Sequence, residues 1–192
     1  MHLRGHDWHP SAMIVADARA AYFARNGFSA AAYDARWVRI RLFGIPLVFP
    51  NVRSRRRAIR FHDLHHVLTG YGADPRGESE IGAWEIAATF PDRGLEFAAA
   101  WLLNTAMFVI GLAIAPRRVY RAFVRGRHSG SLYRRGWSEE LLAVEVGVLQ
   151  RELELDAVHA ATWRDQLVFT GFVAALGAML AVPASLLFWL AA

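Results

Sequence analysis

The sequence predicts a mainly α-helical, membrane-associated protein with one short β-hairpin near residues 37–49. Of its 192 residues, 55% are hydrophobic, and apolar positions recur at helical spacing between breaks at glycine and proline. Residues 167–192 contain no charge. We expect three parts: a mobile N-terminal tail at 1–11, a helical domain at 12–166 with room for its own core, and a C-terminal transmembrane segment at 167–192.

The composition excludes several classes of site. The absence of cysteine rules out disulfides, thiolate zinc sites and cysteine nucleophiles. All 22 residues counted as Lys+Arg are arginines, so no lysine is present for Schiff-base or P-loop chemistry. The net charge of +5 could suggest nucleic acid. However, the arginines flank apolar segments, which is typical of a protein at an anionic membrane surface, and we expect no nucleic-acid partner.

The N-terminal third predicts two short helices and then the hairpin. Asn26-Gly27 interrupts the first helical pattern, and Ser29 suits the N-cap of the next. In "WVRIRLFGIPLVF" apolar residues alternate with arginines before Gly44 breaks the run, which predicts the hairpin at 37–49. The polar start of the chain lacks the apolar core of a secretory signal, and we expect none.

The central third predicts two helices joined by a tight turn. "RSRRRAIRFHDLHHVL" forms a helix with basic first turns, and Gly70 and Gly72 suit its end and the turn. Asp74 is a plausible N-cap, and Pro75 takes the first position of a helix at 75–88.

Two apolar segments follow. Residues 97–115 contain Asn104 and Thr105. Two interpretations stay open for this segment: a helix that is buried or membrane-embedded, and a helix that spans the membrane. "WSEELLAVEVGVLQRELELDAVHAATWRDQ" predicts one long amphipathic helix with Ser138 as N-cap. Residues 167–192 exceed the about 20 needed to cross the hydrocarbon core, although a buried helix is the alternative.

The charge pattern favours a single C-terminal span. The arginine clusters would then all face the cytoplasm, with residues 97–115 buried or dipping into one leaflet. Abundant Ala and Gly without lysine are typical of a GC-rich bacterial genome. We therefore expect the bacterial cytoplasmic membrane as the location, with the helical domain on its cytoplasmic side.

The segment "RFHDLHHVLTGYGADPRGESEIGAWE" contains a candidate metal site. On a helix, His62, His66 and Asp63 lie at 0°, about 40° and about 100°, so one face carries two imidazoles and a carboxylate. The turn allows Glu78 to approach the same centre. Two histidines and two carboxylates suit zinc, iron or manganese, with one or two positions open for water, oxygen or substrate.

Simpler interpretations exist for the same residues. Histidines at i and i+4 are common on exposed helices, and Glu78 could serve the helix dipole. His65 lies about 300° round and is expected to support the ligands or to pack. Asp63 is furthest round from His62, so it is expected to be a weak ligand or the hydrogen-bond partner of a bound water.

The motif resembles a known family. "HDLHHVLTGYGADPRGE" fits His-Asp-x-x-His, eleven residues, then Glu, which is the signature of the coenzyme Q biosynthesis protein four family. "LYRRGWSEELLAVEVGVLQRELEL" is similar to the family's closing segment, and "LVFPNVRSRRRAIRFHD" to the approach to the motif in bacterial members. The resemblance covers roughly residues 20–155. The charge-free segment 167–192 departs from ordinary members, which bind membranes peripherally.

The resemblance implies a function in ubiquinone biosynthesis. One divalent metal, zinc foremost, would be held by His62, Asp63, His66 and Glu78, and these four residues would also be catalytic. The implied reaction decarboxylates and hydroxylates ring carbon one of a polyprenylated hydroxybenzoate-derived intermediate, with the tail in a hydrophobic cavity. Expected partners are membrane lipids, this substrate, other quinone-biosynthesis enzymes and a second copy in a homodimer.

The alternative is a non-catalytic membrane scaffold that binds a prenyl lipid or quinone intermediate and organises partner enzymes. An open coordination position favours the enzyme, and a closed four-ligand site favours the scaffold.

Overall fold

A computed structural model of the chain describes residues 10–42, 44–89, 98–135 and 137–191. These residues are mainly helical and include a two-stranded antiparallel hairpin, which confirms that part of the predicted fold class. The chain divides into two compact units, with the boundary between Val158 and His159.

Among the described residues, the first unit contains six α-helices and the hairpin, and the second contains one long helix. The elements are α1 (Val15–Asn26), β1 (Trp37–Leu42), β2 (Ile45–Pro50), α2 (Arg53–Thr69), α3 (Pro75–Thr89), α4 (Ala98–Ile114), α5 (Pro116–Arg127), α6 (Val146–Glu152) and α7 (Trp163–Ala191). Short 3₁₀ turns occur at Pro10–Ala12, Ala30–Tyr33, Leu132–Arg134 and Glu139–Ala143.

The N-terminal elements follow the local sequence signals. Gly27 ends α1 in the left-handed conformation, with φ of 68°. The Ser29 hydroxyl accepts the Ala31 N–H at 3.2 Å and starts the next turn. Strands β1 and β2 pair from Trp37↔Pro50 to Leu42↔Ile45, as the alternating pattern predicted. Residues 1–9 of the predicted mobile tail lie outside the described residues.

The turn between α2 and α3 brings the predicted site together. Gly70 takes φ of 77° and its N–H bonds the His66 carbonyl, which closes α2. The Asp74 carboxylate then accepts the N–H groups of Arg76 at 2.8 Å and Gly77 at 3.0 Å, which starts α3. The chain reverses here, so the histidine face of α2 lies against the first turn of α3.

Helix α3 lies at the centre of the first unit, packed against α4 and α5. Small residues allow this close approach. A Cβ at Gly111 of α4 would lie 2.5 Å from the Ser79 Cβ, and one at Gly126 of α5 would lie 2.4 Å from the Trp84 carbonyl oxygen. Trp84 is fully buried as a result. The backbone of α3 is therefore held closely on two sides, which fixes the positions of the side chains it presents to α2.

Helix α4 corresponds to the predicted apolar helix at 97–115. It buries Asn104, Thr105 and Phe108 and exposes apolar side chains elsewhere, including Leu102 at 70% exposure. The polar residues that interrupt its apolar sequence thus face the protein interior.

The prediction of a single long helix after Trp137 is wrong. Val144 and Glu145 are extended, and this segment pairs with residues near the start of α1: Val15 N–H bonds the Val144 carbonyl and Val146 N–H bonds the Met13 carbonyl, both at 2.9 Å. Only α6 is helical before Glu154 takes a positive φ. Backbone pairing with a distant segment thus overrode the local helical periodicity.

The transmembrane prediction for residues 167–192 also needs correction. Within the part of the chain that the structure describes, no helix is both long and apolar enough to cross a membrane. Helix α7 covers Trp163–Ala191, and the side chains of residues 167–179 of the predicted segment are described. The remainder of the predicted segment falls largely outside the described side chains.

Candidate metal centre

Three predicted site residues converge between α2 and α3. The Nε2 atoms of His62 and His66 are 3.2 Å apart. The Glu78 carboxylate approaches with Oε2 at 3.4 Å from His62 Nε2 and Oε1 at 3.5 Å from His66 Nε2. These three residues, called the ligand group below, could hold a metal ion.

The opposite ring nitrogens determine which atoms face the centre. His62 Nδ1 lies 3.0 Å from Glu85 Oε1, and His66 Nδ1 lies 3.0 Å from the Tyr71 carbonyl oxygen. Both oxygens can only accept, so each Nδ1 carries the proton, and in a neutral ring the Nε2 atom then keeps its lone pair. This is how histidine ligands are usually oriented at metals.

The separations within the ligand group fit a metal ion. Zinc–nitrogen and zinc–oxygen bonds of about 2.0–2.2 Å in a tetrahedron place neighbouring ligand atoms about 3.3–3.6 Å apart. The 3.2 Å between the two Nε2 atoms and the 3.4 Å from His62 Nε2 to Glu78 Oε2 lie near this range, while the 3.5 Å contact to His66 is made by the other carboxylate oxygen, Oε1. Two lone pairs and a carboxylate that converge in this way repel one another unless a cation lies between them.

The charges around the centre favour a cation. Burial alone would lower the pKa of His62, but the Glu85 and Glu78 carboxylates raise it well above its ordinary value. Burial would likewise raise the pKa of Glu78, yet its hydrogen bonds with His62 and His66 hold that pKa well below the usual range. The carboxylates therefore stabilise positive charge at the imidazoles, whether as a proton or as a metal ion.

Glu85 anchors the centre from the interior side. It is 1% exposed. Oε1 accepts from Nδ1 of His62 at 3.0 Å and of His65 at 2.7 Å, and Oε2 accepts from the Asn104 amide and, at 3.0 Å, from the Tyr133 hydroxyl. Although burial would raise the pKa of Glu85, the charge of His62 and these hydrogen bonds keep it well below its usual value. Each carboxylate oxygen has two donors, so this buried charge is fully compensated.

His65 lies behind the ligand group rather than in it. It is fully buried, and its Nε2 accepts the Leu132 N–H at 2.9 Å. Its proton is therefore on Nδ1, which donates to Glu85. Burial lowers the pKa of His65, in keeping with a neutral ring. His65 supports Glu85, which in turn holds His62.

Asp63 is not brought into the ligand group. Its Oδ2 accepts a hydrogen bond from the Tyr33 hydroxyl at 2.7 Å, and the residue is 7% exposed. Burial raises the pKa of Asp63. The carboxylate is thus held beside the centre by a tyrosine from the turn before the hairpin, and its assignment as a ligand stays a prediction.

Tyr22 of α1 covers one side of the centre. Its ring stacks on the His66 imidazole, with centroids 5.5 Å apart and an interplanar angle of 17°. Burial, followed by the negative charges of Asp63 and Glu78, raises the pKa of Tyr22. Its buried hydroxyl has no hydrogen-bond partner among the residues that the structure describes.

Apart from His65, the sequence analysis missed the residues that support the ligand group. Glu85 had a usable signal, because it follows Glu78 by seven positions and therefore lies about 20° from it around α3. Asn104, Tyr133 and Tyr33 carry no local signal, since each comes from a different element.

Comparison with known proteins does not identify the chain. No family model matches it, and a search of curated proteins found no significant match. The resemblance to the coenzyme Q biosynthesis protein four family therefore rests on the motif and its flanking segments, and it stays a prediction.

Proposed function

We propose that the protein is a metal-dependent enzyme of ubiquinone biosynthesis. It would decarboxylate and hydroxylate ring carbon one of a polyprenylated hydroxybenzoate-derived intermediate. The observation that carries the proposal is the ligand group, which supplies three protein ligands and leaves one tetrahedral position for water or substrate. Catalytic zinc sites have this composition, whereas structural zinc sites have four protein ligands.

Zinc is the proposed metal, because two histidines and one carboxylate are a donor set of catalytic zinc sites. Two histidines and one carboxylate are also the set found at non-haem iron, and manganese accepts the same donors. Metal analysis of the purified protein distinguishes these three.

The chain's own side chains have separate tasks in this proposal. A bound ion supplies a Lewis acid that stabilises negative charge developing on the substrate. Glu85 orients His62, so that its Nε2 faces the centre. The hydroxylation would need dioxygen and a two-electron reductant as co-substrates, with the second oxygen atom leaving as water. In the decarboxylation, loss of carbon dioxide would leave an electron pair on the ring carbon, which must receive a proton. Asp63, buried beside the centre with a raised pKa, is the proposed group that holds and transfers that proton.

Exposed apolar side chains support a lipidic substrate and a membrane location. Helix α4, which packs against both α2 and α3, exposes Leu102 to 70% and Trp101 and Leu103 to 37% each. The hairpin exposes Ile45 and Val48 close to the arginine-rich start of α2. Apolar surface next to arginines is suited to the anionic face of the bacterial cytoplasmic membrane. The polyprenyl tail would lie along the apolar side of α4.

Lipid analysis tests the proposal. Cells lacking the gene should accumulate a carboxylated, prenylated aromatic intermediate, detected by mass spectrometry. The wild-type gene should remove it, and His66→Ala should not. His159→Ala, an exposed histidine of the second unit, is the matched control and should behave as wild type.

Two results would contradict the proposal. Full complementation by His66→Ala would show that the centre is not catalytic and would favour the scaffold. An unchanged lipid composition in the deletion strain would show that the protein does not act in this pathway.

A further inference from the structure

Tyr22 places a buried hydroxyl beside the ligand group. The residue is 2% exposed, and its ring lies flat against His66. Its hydroxyl oxygen is buried without a hydrogen-bond partner in the described part of the chain. Buried polar groups in native proteins are nearly always paired, so an unpaired hydroxyl at a candidate site requires an explanation.

The contrast with Tyr33 shows that pairing is available nearby. The Tyr33 hydroxyl donates to Asp63 at 2.7 Å. The negative charges of the same Asp63 and of Glu78 act on Tyr22, but the Tyr22 hydroxyl makes no hydrogen bond to either carboxylate. An unpaired buried hydroxyl destabilises the fold. Native proteins keep such costs chiefly where function requires them.

The charges around Tyr22 specify what its hydroxyl can bind. A phenol keeps its proton at neutral pH and can act as a hydrogen-bond donor. Counted over the ligand group alone, two neutral imidazoles and one carboxylate leave a divalent ion with one positive charge for a further ligand. An anionic oxygen ligand, such as a carboxylate, is complementary to both the ion and the donor.

We infer that Tyr22 is a substrate-binding residue, whose hydroxyl donates a hydrogen bond to a carboxylate oxygen of the ligand received at the His62, His66 and Glu78 centre. The inference rests on the proposed function, because that function supplies a carboxylated aromatic substrate. It adds a group from α1 to a site otherwise built by α2 and α3.

A spectroscopic titration tests the inference without measuring turnover. Cobalt(II) replaces the native metal in wild type, Tyr22→Phe and Tyr120→Phe, and 4-hydroxybenzoate is added while the visible spectrum of the cobalt is followed. Tyr120 lies on α5, which contributes no side chain to the ligand group, so its variant controls for the loss of a tyrosine hydroxyl.

The expected result has two parts. Tyr22→Phe should bind cobalt as wild type does but bind 4-hydroxybenzoate about 10- to 100-fold more weakly, since it lacks one hydrogen bond to a charged group. The metal-free variant should also melt about 2–8 °C higher, because an unpaired buried hydroxyl is gone. Tyr120→Phe should bind the probe as wild type does.

Different outcomes overturn different claims. Equal probe affinity in Tyr22→Phe and wild type overturns the inference about Tyr22, as does a cobalt-loaded wild type that binds no probe. Failure of the wild-type protein to bind cobalt overturns the proposed function itself.

Discussion

Glu78 and Glu85 lie on the same face of one helix, yet their surroundings differ completely. Glu85 is 1% exposed and accepts four hydrogen bonds from histidine, asparagine and tyrosine donors. The Glu78 side chain is 30% exposed and faces two imidazole nitrogens whose protons are on the other side of the ring. The same type of side chain is thus a structural anchor at Glu85 and a candidate metal ligand at Glu78.

The difference shows that burial and the number of hydrogen-bond donors determine the role of a carboxylate. A buried carboxylate with four donors stabilises the fold, because removing it leaves every donor unpaired in a dry environment. A partly exposed carboxylate beside two imidazoles is stabilised by positive charge on them, whether that charge is a proton or a metal ion. The comparison predicts that substitutions at Glu85 act mainly on stability and those at Glu78 mainly on metal binding.

The largest effect is expected from Glu85→Ala. Four donors lose their acceptor, and the free energy of unfolding should fall by about 3–5 kcal/mol. Denaturant unfolding measures the change. Glu152→Ala, which removes an exposed partner of Arg135, is the control and should cost no more than about 1 kcal/mol. Equal small losses in the two variants would show that the Glu85 network does not stabilise the fold.

Next in size is the loss of metal in His66→Ala. Wild type should carry about one divalent ion per chain, and this variant should carry almost none, because half of the imidazole pair is gone. Elemental analysis of the purified proteins checks this, with His159→Ala as the matched control. Undiminished metal in both His66→Ala and Glu78→Ala would exclude the ligand group as the metal site.

Glu78→Gln should separate binding from stability. The amide is a poorer ligand, so metal affinity should fall about 10- to 100-fold, measured by competition with a chelator. The free energy of unfolding of the metal-free protein should fall by less than in Glu85→Ala, because the Glu78 side chain is 30% exposed. A loss of stability as large as that of Glu85→Ala would erase the distinction between the two glutamates.

The smallest effect on the metal is expected at Asp63. Because Tyr33 holds its carboxylate, Asp63→Asn should keep nearly all bound metal while turnover falls about tenfold or more. His62→Ala, prepared in parallel, should lose both metal and turnover. Equal metal loss in the two variants would make Asp63 an ordinary ligand, and full activity of Asp63→Asn would remove it from the mechanism.

The errors made from the sequence share a cause. The long helix expected after Trp137 had good periodicity and a plausible N-cap, but Val144 and Glu145 instead pair with the segment before α1. That pairing joins residues about 130 positions apart, and no local pattern reports it. The turn signals at Gly27, Gly70 and Asp74 were reliable because each acts through its own backbone.

The sequence by itself determined that His62, His66 and Glu78 would meet. Helical periodicity places His62 and His66 on one face, and the turn after Gly70 returns the chain so that Glu78 meets them. Only the tertiary structure decided what surrounds the group: Glu85 with its four donors, Asp63 held by Tyr33, and Tyr22 stacked on His66. The physical reason is that ligand spacing is a property of a helix and one turn. Burial and hydrogen-bond pairing depend on side chains that only the packing of α1, the 3₁₀ turns and α4 brings to the site.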